Sequence, residues 1–409
     1  MSTVVPPHPA TSTHAPTVSR PRPTAAPSGG GPRPRLRALD GLRLVAALMV
    51  VSFHWTGVNR VPEVWHGTPA KLMPGLHLYT AYGFLGVQMF FLISGFVICM
   101  SCWGKTPRQY FTSRVVRLMP AYWVAVILTA LVVDFVATAR HRVHLRFSDV
   151  LSNLTMLQQP MGVAEADTVY WTLWVELRFY LLFAIVVALG LTYRRVLAFC
   201  GIWMFLSVIA IKGDNLLLRT FVMPEYAPYF IAGIAMFLIY RFGTNWLLLG
   251  VVGFSWLVAQ NQLLGTKGSY QYGVMHSLSW DVMAWFSVVA FGVVLAVAMG
   301  AFDRVQWKWL TTAGALTYPV YLLHQEIGYA LIRWARNEGM DLPVTLLGTL
   351  AVVLLLAWIV HRYAERPLSA LLKRMLDAPG LTLPKTDPPV RRRATNAERN
   401  AMDTAGSAG

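Results

Sequence analysis

Between residues 40 and 363 the chain repeats one pattern, an apolar stretch of roughly 20 residues followed by a short polar break. A helix rises about 1.5 Å per residue, so such a stretch matches the hydrocarbon thickness of a bilayer. In that solvent a spanning segment must satisfy its own backbone polar groups, which a helix does. The pattern therefore predicts an all-α fold: a polytopic membrane bundle of about ten transmembrane helices. The stretches fall near 40–58, 79–101, 119–139, 169–191, 195–211, 220–240, 245–263, 278–301, 309–332 and 343–363. Only 13% of residues are charged, against about 25% in soluble domains.

Residues 1–35 are rich in Pro and Arg and lack the apolar core of a signal peptide. They are expected to form a disordered tail, as is the basic segment 371–409. The membrane domain is then 36–370. The segment 105–118, KTPRQYFTSRVVRL, is basic and amphipathic, which suits a helix lying on the membrane surface ahead of the third span. Arg33, Arg35, Arg37, Arg362 and Arg366 flank the first and last spans. They predict a plasma-membrane protein with both termini cytoplasmic. The net charge of +16 is not joined by any nucleic-acid-binding motif, so no nucleic-acid partner is expected. Cys99 and Cys102 form a CxxC with no second ligand pair and no βαβ context. It reads as incidental packing, and no metal site is expected.

Ionisable groups inside a membrane are expensive and by default face a bundle interior or a cavity. The first span carries Arg43 and His54, the fourth Glu176 and Arg178, the sixth Glu225, the eighth Asp281 and the ninth His324 and Glu326. Arg43 and His54 are eleven residues apart, a rise of about 16 Å and close to three full turns. Both would lie on one face at different depths. A guanidinium fork suits phosphate oxygens, and an imidazole suits general-base work near neutral pH. The fourth span should run opposite to the first, which sets Thr172 and Glu176 at about the depth of His54. A carboxylate there could orient the imidazole. The plainer alternatives are snorkelling for Arg43, an interfacial hydrogen bond for His54 and a Glu176–Arg43 ion pair. Glu176 and Arg178, two residues apart, would not face each other.

Several stretches together resemble the membrane acyltransferase 3 family. RLRALDGLRLVAALMVVSFHW is similar to its first span, with Arg43 and His54. FLGVQMFFLISGFVI resembles its second, with Ser94, and YFTSRVVRLMPAYW the basic segment that follows, with Arg114 and Arg117. TLWVELRFYLLF resembles a Ser-x3-Glu region in which Thr172 replaces the serine before Glu176. LTYPVYLLHQ carries a Tyr-x2-Tyr-Leu-x-His pattern with Tyr321 and His324, and YAERP a closing Glu-x-Pro. The resemblance implies an integral membrane O-acyltransferase. It would move an acyl group, usually acetyl, from acyl-CoA to a hydroxyl of a carbohydrate or natural product, such as an envelope polysaccharide or a macrolide-type glycoside. On this reading His54 and Glu176 are catalytic, and Arg43, Arg114 and Arg117 hold the donor. Asp40, Ser94, Thr172, Tyr321, His324 and Glu326 bind substrate or support the site. The loops 59–78 and 140–168 are candidates for acceptor selection. The alternative function is a polytopic transporter or flippase of a glycan or lipid-linked precursor, for which midplane charges would also be expected. The halves 40–200 and 220–365 show no internal similarity, which counts against a carrier.

Overall fold

A computed structural model of the chain describes residues 36–59, 62–136, 145–213, 215–274 and 277–376. The expected tail 1–35 and residues 377–409 of the expected tail 371–409 lie outside the described residues, as do residues 140–144 of the longer loop. Every regular element among the described residues is helical. The principal helices are α1 (Arg37–Ser52), α2 (Leu85–Cys102), α3 (Pro107–Val136), α4 (Trp171–Leu189), α5 (Tyr193–Lys212), α6 (Ala227–Phe242), α7 (Trp246–Val274), α8 (Trp280–Ala298), α9 (Lys308–Leu323), α10 (Glu326–Asn337), α11 (Leu342–Ile359) and α12 (Arg366–Leu376). Helical order thus runs past residue 370 to Leu376.

Nine helical stretches among the described residues are long and apolar enough to cross a membrane. The other expected span, 309–332, is divided into α9 and α10 at His324 and Gln325. Two local bonds explain the break. The His324 ring turns back on the carbonyl of Tyr321 in its own last turn. The backbone N–H of Glu326, which opens α10, is taken by the Asp167 carboxylate from outside the helix. The segment 105–118 also departs from expectation. It is the first half of α3, one helix of 30 residues that measures about 45 Å, longer than the roughly 30 Å hydrocarbon core. Its basic turns are therefore the end of a membrane-crossing helix, not a separate surface helix.

Small residues set the closest contacts, as in membrane bundles where backbone approach replaces hydrophobic drive. A Cβ at Gly95 on α2 would stand 2.2 Å from the carbonyl oxygen of Phe230 on α6, and one at Gly233 on α6 would stand 2.0 Å from that of Leu92. Helices α1 and α9 run side by side in the same direction. Arg37 donates to the Gln306 carbonyl at their start, Asp40 packs against Gly314, and His54 meets His324 at their far ends. The bundle therefore has an arginine end and a histidine end.

Candidate active site

The sequence builds the histidine end by interrupting helices. After Ser52 the first helix widens into a π turn, Phe53–Gly57, a feature often found at functional sites. Side chains in this stretch fold back on nearby carbonyls: Ser52 Oγ on Met49 O, Thr56 Oγ1 on Ser52 O, and His54 Nδ1 on Val50 O at 2.9 Å. Neighbouring segments pin the turn. Trp55 Nε1 donates to the His324 carbonyl at 2.8 Å, Tyr329 Oη to the His54 carbonyl at 3.0 Å, and Trp65 Nε1 to the Trp55 carbonyl at 2.8 Å. His54 Nδ1 and His324 Nε2 are 3.0 Å apart.

From the arginine end a cavity of about 300 Å³ extends between α1, α2, α3, α4 and α9. Its polar lining comprises Arg43, Ser94, Ser113, Arg114, Arg117, Thr172, Glu176, Tyr180, Thr317, Tyr318 and Tyr321, set among Val, Ile, Leu and Phe side chains. Arg114 bonds Ser101 Oγ at 3.0 Å and lies over the Tyr180 ring. Arg117 pairs with Glu365 at 3.1 Å, and the other oxygen of Glu365 meets His361 Nδ1 at 2.7 Å. Ser94 Oγ donates to Glu176 at 2.8 Å. At the opposite end of the cavity, Thr172 Oγ1 and Tyr321 Oη are 2.8 Å apart. The Tyr321 ring lies 5.6 Å from the His324 ring, which lies 5.1 Å from that of His54. Tyr321 thus links the cavity to the histidine pair.

A family model described as an acyltransferase domain matches residues 36–362, most of the chain. The protein belongs to the acyltransferase 3 family. It is 25% identical over 399 residues to Acyltransferase MdmB of Streptomyces mycarofaciens, covering 86% of this chain and 96% of that one. No solved structure matches it. The protein is thus a multi-pass membrane acyltransferase, and the transporter alternative is set aside.

Within this acyltransferase the residues singled out from sequence divide. Arg43, Ser94, Arg114, Arg117, Thr172, Glu176 and Tyr321 share the cavity wall, and Asp40 packs behind it on Gly314. His54 is not in that wall. The expected His54–Glu176 pairing is replaced by His54–His324 and Glu176–Ser94. The reason is directional: the π turn that continues α1 presents His54 to the end of the parallel neighbour α9, whereas α4 presents Glu176 to α2. Glu326 lies beyond His324, where Gln325 Nε2 donates to its carboxylate at 3.3 Å. Three other charges expected in a cavity are elsewhere. Arg178 bonds the Thr220 carbonyl and covers Trp174. Glu225 pairs with Arg219 between two helices, and Asp281 is exposed in the first turn of α8.

Four residues of the site were missed: Ser113, Tyr180 and Thr317 in the cavity wall, and Asp167 near the histidine end. Tyr180 lines the cavity, and the spacing Thr172, Glu176, Tyr180 already puts all three on one helix face. Asp167 accepts from Val169 N–H at 3.1 Å and Glu326 N–H at 3.2 Å, fixing the 3₁₀ turn that leads into α4 and the start of α10. Burial, with the Glu326 charge beside it, holds its carboxyl well above the usual range. An Asp just before an apolar run is a helix-start signal, so its role on α4 was readable. Its role on α10 was not.

Proposed function

We propose that this acyltransferase moves an acyl group, usually acetyl, from acyl-CoA to a hydroxyl of a carbohydrate or natural-product acceptor. One observation carries the reading: a cavity with three arginines at one end closes at the other on Tyr321, whose ring packs against His324 of a hydrogen-bonded histidine pair. Arg43, Arg114 and Arg117 supply planar donors and positive charge for the phosphates of the donor. The apolar wall between them and Tyr321 suits the donor's extended arm. His54 is the general base. Its ring takes the hydroxyl proton as the acceptor oxygen bonds to the thioester carbonyl carbon. The tetrahedral intermediate then breaks its carbon–sulfur bond, and the departing thiolate recovers that proton to give free CoA and the ester. Glu176 orders the cavity through Ser94. Base catalysis of this kind contributes about 10²–10⁴-fold. Both termini and the arginine end face the cytoplasm, where acyl-CoA is made.

The test uses purified protein in lipid nanodiscs with acetyl-CoA and candidate hydroxyl acceptors, following free thiol and acylated product together. Wild-type protein should yield both in equal amounts. His54→Ala should bind acetyl-CoA with near-normal affinity and turn it over at least about 10²-fold more slowly. Near-normal transfer by a folded His54→Ala protein would remove His54 as the base.

A further inference from the structure

A histidine works as a base only if the nitrogen facing its substrate carries the lone pair. At His324, Nδ1 lies 2.7 Å from the Tyr321 carbonyl oxygen. A carbonyl only accepts, so that nitrogen bears the proton, and in the neutral ring Nε2 is then an acceptor. This acceptor lies 3.0 Å from His54 Nδ1, whose other neighbour, the Val50 carbonyl oxygen at 2.9 Å, also only accepts. The hydrogen shared along this path therefore belongs to His54 Nδ1. The lone pair of His54 is left on Nε2, which makes no hydrogen bond among the described residues.

We infer that His324 is the positioning residue for His54: beside the Val50 carbonyl, its Nε2 accepts the His54 Nδ1–H, fixes the ring with its basic Nε2 free and holds the Nδ1–H of the imidazolium formed during transfer. The inference rests on the base role proposed above. His324 is fully buried, 0% exposed, with Tyr321 between its ring and the cavity, so it acts through His54 and not on the reacting atoms. A neutral imidazole does here what a carboxylate does in hydrolytic triads. In a membrane interior this avoids a buried charge before reaction begins. His324 ends each cycle unchanged, because the proton that arrives on His54 Nε2 leaves from the same atom.

Two substitutions and a spectrum test this. His324→Gln can present a carbonyl oxygen to His54 Nδ1, and kcat should stay within about tenfold of wild type. His324→Leu leaves His54 Nδ1 only the Val50 carbonyl, and kcat should fall about 10²–10⁴-fold with the KM for acetyl-CoA nearly unchanged. Imidazole ¹⁵N resonances of the wild-type protein should show His54 protonated at Nδ1 and bare at Nε2, and in His324→Leu the His54 Nδ1 resonance should move as its bond to His324 is lost. A wild-type spectrum with the proton on Nε2 would overturn the inference, even if His324→Leu fails to fold. So would equal loss in the Gln and Leu variants with an unchanged His54 spectrum. If the Nδ1 resonance moves as expected but His54→Ala still transfers normally, the base assignment fails and the positioning contact stands.

Discussion

At the scale of single residues, Arg43 shows why geometry matters more than charge alone. A guanidinium in a membrane interior is costly unless its charge is used. The cavity wall holds three arginines and one glutamate, and Arg117 is already engaged by Glu365. Three guanidinium forks at one mouth suit a ligand with several phosphates. Loss of charge-assisted hydrogen bonds costs about 1.5–3 kcal/mol. Arg43→Ala should therefore weaken acyl-CoA binding about 10- to 100-fold by titration calorimetry. Arg43→Lys should fall between, because a point charge cannot grip two oxygens at once. Unchanged affinity in a folded Arg43→Ala protein would take the donor role from this residue. The sequence made Arg43 and His54 legible because helical spacing orders depth and face along one helix. Periodicity does not say which neighbouring helix a face meets. Glu176 was visible as a buried acid but was matched to His54, when it meets Ser94. His324 was visible too, but its pairing depends on α1 and α9 running in parallel.

At the scale of elements, the site depends on interruptions that an apolar count averages away. The stretch 309–332 contains enough apolar residues for one span, so a window of membrane length passes over the break at His324 and Gln325. The π turn at Phe53–Gly57 likewise has no apolar signature. What holds these two irregular places together is close packing. Gly328, in the first turn of α10, accepts the Trp55 indole so tightly that a Cβ there would lie 2.3 Å from Trp55 Nε1. That same nitrogen donates to the His324 carbonyl. Gly328→Ala must push the indole or α10 away, and overpacking of this kind costs about 1–3 kcal/mol. The expected result is a lower melting temperature in detergent together with reduced turnover, since the shift separates His54 from His324. Acyl-CoA affinity should be preserved, because Arg43 lies at the other end of the bundle. An unchanged melting temperature would mean that the contact is looser than described.

At the scale of the whole molecule, the same packing fixes how many times the chain crosses. Arg37 opens α1 beside Gln306, at the start of the parallel helix α9. Near the other end of the described chain, Glu365 bonds Arg117, which shares the cavity wall with Arg43. Residues 37 and 365 are therefore both at the arginine end of the bundle, and an even number of crossings joins them. Nine long apolar stretches become ten only if α9 carries the chain from the arginine end to the histidine end. Its pairing with α1 from Asp40 and Gly314 to His54 and His324 requires this. In the proposed orientation the basic residues flanking both ends lie on the cytoplasmic side, where such clusters are retained. Reporter fusions made after residues 35 and 376 should both read cytoplasmic. Both reading external would invert the bundle and put the arginine cavity out of reach of cytoplasmic acyl-CoA. Opposite readings would mean that α9 and α10 together fail to cross, so that His54 and His324 could not meet as described.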